Sequence, residues 1–209
     1  MSQVESPRVV PLEAGAGPEN PPCPACDEPL FGWIGEKPGL AGTVRRCESC
    51  GLGVVGAPEG PEAALRELDS LGEDGVLRIV DRASFACALG GAGWFGLRRR
   101  AGYYFTLESV RRLVAHRDQV VKSRRWLPGE SLLATWQTLL NSVTFGHNVA
   151  LGALRGAPAM RAPEKWQRGI DILASGALGL PALLIAIPIE LTACLFRRGA
   201  VYELRLELL

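Results

Sequence analysis

Histidine is nearly absent from this chain: His116 and His147 are its only two in 209 residues. Neither lies in a pattern that asks for catalysis. His116 closes the RRLVAH segment, where a cation complements the carboxyl end of a helix, and a capping role is expected. His147 sits in the apolar stretch FGHNV and reads as a satisfied core or interfacial histidine. Net charge is missing too. The 23 basic and 22 acidic residues leave +1, so no global field selects nucleic acid or an acidic partner. There is no internal repeat. No secretory leader is present either: MSQVESPRVVPLEAGAGPENPP is polar and rich in proline and glycine, which predicts an intracellular protein in a reducing compartment.

Cysteine is sparse, with six residues, but four of them are paired as CPAC and CESC. In a reducing compartment such pairs hold metal rather than disulfides. Two CxxC knuckles let the thiolates of Cys23, Cys26, Cys47 and Cys50 converge tetrahedrally on one Zn²⁺, each knuckle giving two ligands. Pro24 stiffens the first turn, and Gly51 allows the backbone to fold back after Cys50. Four thiolates leave no open coordination position, so the expected zinc is structural. Phe31 and Trp33 are expected to pack around it. Arg45 and Arg46 read as a solvated face. Cys87 and Cys194 stand alone in apolar surroundings.

Residues 1–22 lack apolar periodicity and read as a disordered leader. After the cysteine module, PEGPEAALRELDSLGEDG places Ala64, Leu65, Leu68 and Leu71 at helical spacing, with Gly72 as its end. GVLRIVD is a strand candidate, and ALGGAGWFGLRRRAG a glycine-rich link. In YYFTLESVRRLVAHRD, Thr106 is a good N-cap and Val110, Leu113 and Val114 form an inner face. QVVKSRRW follows as a second strand. Residues 128–168 look helical with a break at APAMRAP, residues 172–196 are strongly apolar, and AVYELRLEL alternates as a final strand expected to pair with QVVKSRRW. Asp69, Glu73 and Asp74 read as a solvated helix end.

Two surfaces invite a partner. The first is a basic concentration: LRRR at 97–100 with Arg111, Arg112, Arg117, Lys122, Arg124 and Arg125, flanked by Trp94, Tyr103, Tyr104 and Trp126. It reads either as an ordinary balanced surface or as a face for lipid headgroups or nucleic acid. The second is ILASGALGLPALLIAIPI, residues 172–189. This uncharged run approaches the length needed to span a bilayer. Pro181 and Pro188 should break its helical hydrogen bonding, and Glu190 follows at once. If the flanking strands pair, a single crossing is excluded. An interfacial or re-entrant hairpin with Trp126, Trp136 and Trp166 as anchors then competes with a buried helix.

RRCESCGLGVV resembles the zinc-ribbon leader of class I S-adenosylmethionine-dependent methyltransferases. The segment from EAALRELD to RRLVA is similar to that family's later portion: a helix, the fifth strand GVLRIVD, the loop with Trp94, and a helix start at Tyr103–Thr106. QVVKSRRW resembles the sixth strand and RRGAVYELRLEL the seventh. The resemblance covers residues 23–55 and about 62–209. It also implies what is missing. Strands one to four should lie between Val55 and Ala63, with the glycine-rich turn and the ribose-binding carboxylate that hold the cofactor. ALGGAGWFG does not replace them.

The reading is therefore an α+β, or truncated α/β, protein: an N-terminal zinc ribbon and a partial methyltransferase-like sheet, the remnant of strands five to seven, with a long helical insertion. The expected divisions are a leader at 1–22, a ribbon at 23–56 and a truncated domain at 57–209 carrying an apolar helical insertion at 128–198. Ribbon and remainder are expected to have separate cores. The resemblance implies a non-catalytic protein acting in protein or membrane-surface contact, with structural Zn²⁺ and without S-adenosylmethionine. The alternatives are a methyltransferase component active only with a partner chain and a zinc-ribbon nucleic-acid module. A protein partner or second copy is expected on the exposed edge strand at 75–81, and peripheral membrane contact through 172–196. Nucleic acid is not the expected partner. The expected location is cytoplasmic, at the inner face of the membrane.

Overall fold

The computed structural model describes residues 20–35, 42–73, 75–97, 101–155 and 164–209. Residues 1–19 of the expected leader, Asp74, the arginines at 98–100 and the APAMRAP break lie outside the described residues. In chain order the elements are β1 (Leu30–Ile34), β2 (Val44–Cys47), β3 (Gly53–Val55), α1 (Pro61–Asp69), β4 (Gly72–Glu73) and β5 (Val76–Val80). There follow α2 (Phe85–Gly90), a 3₁₀ turn at Gly91–Gly93, β6 (Tyr103–Tyr104), α3 (Leu107–Ala115) and β7 (Gln119–Trp126). The chain closes with α4 (Pro128–Asn141), α5 (Val149–Arg155), α6 (Lys165–Leu195) and β8 (Val201–Leu208). This is a mixed α+β architecture with two small antiparallel sheets, neither of them a closed barrel.

The first sheet runs β1-β2-β3-β6. Its first three strands belong to the cysteine module, but β6 comes from the far side of α1 and α2, pairing Gly53 with Tyr104 and Val54 with Tyr103. The second sheet runs β4-β5-β8-β7. Final strand β8 pairs with β7, as the sequence predicts, and with β5 on its other side. Leu77 and Ile79 on β5 face the same way as their partners Leu204 and Tyr202, and all four are buried. The outer edge of β5 is not bare along its whole length. β4 pairs Gly72 with Leu77 and Glu73 with Val76, and the Arg78 N–H donates to the Leu71 carbonyl at 3.1 Å.

A bulge shapes β7. Val121 opposes Leu206 and Ser123 opposes Arg205, which leaves Lys122 as an extra residue. The side-chain parity therefore flips within the strand. Val121 before the bulge and Trp126 after it both pack on the same core.

α1 and α3 each carry a local start signal. Pro61 occupies the first turn of α1, and Ala64, Leu65 and Leu68 are its buried face. On α3, the Thr106 hydroxyl accepts from the Ser109 N–H at 3.0 Å while the Ser109 hydroxyl accepts from the Thr106 N–H at 2.9 Å. This reciprocal cap satisfies two otherwise orphaned donors. A short helix runs into the start of the glycine-rich link: Ser84 caps α2 by accepting from the Cys87 N–H at 3.2 Å.

The expectation of separate cores is overturned. One continuous cluster contains Cys23, Leu30, Cys47 and Leu52 from the module, Leu65 and Leu68 from α1, Val110 and Leu113 from α3, and Ile79 and Leu204 from the second sheet. A ribbon this small buries too little on its own, and here α1 and α3 close it. Trp33 joins a second cluster instead, with ring centroids 6.3 Å from Trp94 and 6.4 Å from Tyr104. Phe31 is exposed. Neither ring packs around the cysteines as expected; Leu30, Leu52 and Val54 do.

The prolines do not break α6, which runs uninterrupted from Lys165 to Leu195 with Pro181 and Pro188 inside it. A proline removes the bond to the carbonyl four residues earlier, here those of Ala177 and Leu184, both exposed residues. The helix is held instead by contacts along its other face.

Candidate metal centre and apolar helix face

Each knuckle turns by the same device. The residue after its second cysteine has a left-handed backbone: Asp27 at φ 60° and Gly51 at φ 77°. In the first, the Cys26 and Asp27 N–H groups donate to the Cys23 carbonyl at 3.2 and 2.8 Å. In the second, the Gly51 N–H donates to the Cys47 carbonyl at 3.1 Å. Glycine is required at position 51 for a further reason. A Cβ there would lie 2.8 Å from Thr106 Cγ2.

The turns bring Cys23, Cys26, Cys47 and Cys50 together, with all four Sγ atoms within 4.8 Å of one another. Cys23 lies 3.6 Å from Cys50, and Cys26 lies 3.5 Å from Cys47. These separations exclude disulfides, whose sulfurs stand about 2.05 Å apart. They fit thiolates around one ion, since four sulfurs about 2.3 Å from a tetrahedral centre lie about 3.8 Å from each other. Without metal, burial raises the Cys26 thiol, and the Cys23 hydrogen bond together with burial raises Cys50. A metal must displace those protons to bind. The donor set suits a soft tetrahedral ion such as zinc and leaves no open position.

The second knuckle is tied to the rest of the protein by residues outside the motif. The Thr106 hydroxyl donates to the Cys50 carbonyl at 2.6 Å, and the Arg82 guanidinium donates to the Gly51 carbonyl. Thr106 thus caps α3 and anchors the metal loop at once. Sequence reasoning found its capping role only; no local pattern announces a bond across 56 positions.

The apolar segment has the opposite organisation. Among the described residues, α6 is the one helix long and apolar enough to cross a membrane, by length and composition. Only 11 % of its most apolar stretch is buried. The inward face is small or acidic: Asp171, Ala182, Ala186, Glu190 and Ala193. The outward face carries Leu173, Leu180, Leu184, Ile185, Leu191 and Leu195, the last 83 % exposed.

Polar bonds fasten the inward face at both ends. Asp171 accepts from the Phe145 and Gly146 N–H groups, both at 2.8 Å. Trp136 Nε1 donates to the Gly179 carbonyl at 2.8 Å. Glu190 accepts from Thr135 Oγ1 at 2.7 Å, the Ala200 N–H at 3.0 Å and Trp126 Nε1 at 3.1 Å. The buried carboxylates are thus satisfied. α4 is in turn tied to the body, since Thr138 accepts from the Phe95 N–H and Asn141 donates to the Gly93 carbonyl. α6 therefore lies along the body for most of its length. The roles of Asp171 and Glu190 were missed, although a lone carboxylate beside an apolar run was their visible signal.

The remaining residues fall into place as follows. His147 is buried, with Nε2 3.0 Å from the Trp94 carbonyl, and His116 is the C-cap of α3. Burial pushes the Cys87 thiol up to about 12, which leaves it unreactive. The basic concentration divides. Arg112 pairs with Glu108, Arg117 with Asp69 and Glu62, and Lys122 with Glu207. Arg111, Arg124 and Arg125 form no salt bridge among the described residues. Trp94, Tyr103 and Tyr104 are buried and offer no stacking surface. Comparison with protein-family models, curated proteins and solved structures finds no match to this chain.

Proposed function

We propose that this chain is a non-catalytic contact protein, in which a zinc-stapled body holds α6 against the surface of a lipid bilayer. One observation carries the reading: the side chains that α6 turns outward are large and apolar, while those it buries are small or acidic. Water selects the reverse pattern. A hydrocarbon surface selects this one, because small residues let helices approach closely and large ones face lipid. The helix is about 46 Å long at about 1.5 Å per residue, with Lys165, Trp166 and Arg168 at one end and Arg197 and Arg198 at the other. Its inner face is committed to α4 and the body, so it lies in the interface plane rather than crossing.

The methyltransferase resemblance supports the absence of catalysis. The strands it numbers five, seven and six correspond to β5, β8 and β7, which stand side by side in one sheet. The sequence offers no cofactor-binding turn. In this reading the protein comprises a ribbon unit at 23–56 and a truncated unit at 57–209, located in the cytoplasm at the inner face of the membrane. A partner chain on the edge of β5 belongs to the same proposal, narrowed to the part beyond Arg78 that β4 does not pair.

Vesicle flotation tests the reading. The wild-type chain should float with lipid, and Leu180→Glu/Leu184→Glu should sink while keeping its circular dichroism spectrum. A wild type that stays at the bottom, or a variant that floats equally well, overturns it. Calorimetric titration with S-adenosylmethionine should be silent; heat would restore the reading of a methyltransferase component. Salt-dependent binding to DNA would favour the nucleic-acid alternative.

A further inference from the structure

Beside the C-terminal end of α6 lies a recess of about 410 Å³ lined by Leu107, Arg111, Arg124, Trp126, Cys194, Arg197 and Tyr202. Three arginines reach it from three elements: α3, β7 and the turn after α6. Arg124 is held in place. Its Nη2 donates to the Arg197 carbonyl at 2.6 Å, and its guanidinium carbon lies 3.6 Å from the Tyr202 ring centroid. Arg124 and Trp126 are two residues apart in the regular part of β7 beyond the bulge, so they share a face and both line the recess.

The charge here is not directly paired. None of the three arginines forms a salt bridge among the described residues, whereas Arg112, Arg117 and Lys122 all do. Asp81 and Arg124 attract each other, but Asp81 is buried and its field is divided among Arg82, Arg124 and Arg198. Glu190, behind Trp126, is bonded to Thr135, Ala200 and Trp126. Arg111 and Arg197 are exposed at the rim.

We propose that this recess binds a phosphate group, held by Arg111, Arg124 and Arg197 with Trp126 and Tyr202 as its walls. Guanidinium groups present planar pairs of donors that match phosphate oxygens. Arg124, already fixed by its backbone bond and its ring, loses little freedom on binding. The recess shares Cys194 and Arg197 with the end of α6, next to exposed Leu195 and Phe196. An apolar helix seated in a bilayer interface would bring that end to the headgroup layer, where basic clusters meet anionic lipid. The headgroup as source of the phosphate rests on the membrane reading; the site itself does not.

The experiment has two arms. In the first, the full chain is titrated with glycerol 3-phosphate while the indole N–H resonance of Trp126 is followed. Saturable shifts are expected, weakened at least tenfold in Arg111→Gln/Arg197→Gln and within twofold of wild type in Arg125→Gln/Arg205→Gln. The second pair removes equal charge from outside the recess. No saturable shift, or equal weakening in both pairs, overturns the site. In the second arm, vesicles containing phosphatidate are compared with vesicles of equal charge carried by fatty-acid carboxylate. A preference of about tenfold for phosphatidate, lost in Arg111→Gln/Arg197→Gln, supports the headgroup assignment. Equal binding to both overturns that assignment, and with a positive first arm makes a free phosphate compound the ligand. A positive first arm with no binding to any vesicle leaves the site standing and overturns the membrane reading of α6.

Discussion

Around the cysteines this protein buries its large apolar side chains, and along α6 it exposes them. The module buries Leu30, Leu52 and Val54 and exposes Arg46 and Glu48, paired at 3.7 Å. α6 buries alanines and two carboxylates and exposes leucine and isoleucine. The same side-chain chemistry is sorted in opposite senses within one chain. The lesson concerns the reference medium: burial is favourable only relative to what otherwise covers the surface. Around the cysteines, that medium is water, and a metal held by them would staple a small apolar core. The outward face of α6 carries the large apolar side chains that such sorting would bury, and the proposed bilayer contact supplies a medium that suits them.

The largest expected effect breaks the water-facing side of this comparison. Cys47→Ser removes one of four candidate ligands, and a metal held at such a centre contributes about 10 kcal/mol or more in small zinc domains. Whole domains are stable by only about 5–15 kcal/mol. Because the module shares its core with α1, α3 and the second sheet, unfolding should spread beyond residue 55. Near-ultraviolet circular dichroism should collapse and metal analysis should fall from one equivalent to a small fraction. A variant that loses metal but keeps its aromatic signal would show that the shared core stands alone.

A paired substitution sharpens the contrast on α6. Ala186 is fully buried on the inward face of α6, the helix that packs mainly against α4, and Leu184 is exposed. Ala186→Leu should destabilise by about 1–3 kcal/mol, as overpacked sites do. Leu184→Glu should change stability by no more than about 0.5 kcal/mol. In an ordinary core helix the alanine-to-leucine change would be the milder of the two. Chemical denaturation of both variants reads this directly. If the glutamate proves more costly, the outward face is covered within the folded chain, and the comparison fails.

Much of this was legible before the structure, and the reasons for success and failure are physical. The cysteine spacing specified the metal cluster because two tight turns impose local geometry. Thr106 announced α3, and the alternation of AVYELRLEL announced β8, because caps and strands leave local signatures. β6 was not legible: two tyrosines have no period, and they form a strand only because the edge of β3 receives them. α2 was hidden by its shortness and by the glycines that follow it. Pro181 and Pro188 misled because the rule that they end helices assumes nothing else supports the chain. Here Asp171, Gly179 and Glu190 bond along one face and hold the helix through both prolines.

A smaller effect tests the seam between module and body. Gly51 has φ 77°, and a Cβ there would meet Thr106 Cγ2 at 2.8 Å, where the Thr106 hydroxyl binds the Cys50 carbonyl. Gly51→Ala should cost about 1–3 kcal/mol, from backbone strain and the clash with Thr106 Cγ2 together. Removing the methyl in Gly51→Ala/Thr106→Ser should recover part of that, since serine keeps both the cap and the hydroxyl. Thermal denaturation of the three proteins gives the ordering. No recovery in the double variant would place the cost in the backbone rather than in the seam.

The smallest expected effect lies at Asp81, where the sheet edge meets the arginine recess. The carboxylate accepts from the Ala83 N–H at 2.7 Å and feels Arg82, Arg124 and Arg198, yet burial outweighs them and raises its pKa. The sign follows from that order of causes. A carboxyl that holds its proton more tightly in the folded state gives most stability below its unfolded value, near about 3.9. It loses that contribution as pH rises through the folded value. Asp81→Asn keeps the acceptor for Ala83 and cannot ionise. Relative to wild type it should therefore gain stability between acid and neutral pH, on the order of 1 kcal/mol. Denaturant titrations of both proteins across that range give the slope. If wild type gains on the variant instead as pH rises, the three arginines prevail over burial, and Asp81 is the counter-ion of the recess rather than a buried acid beside it.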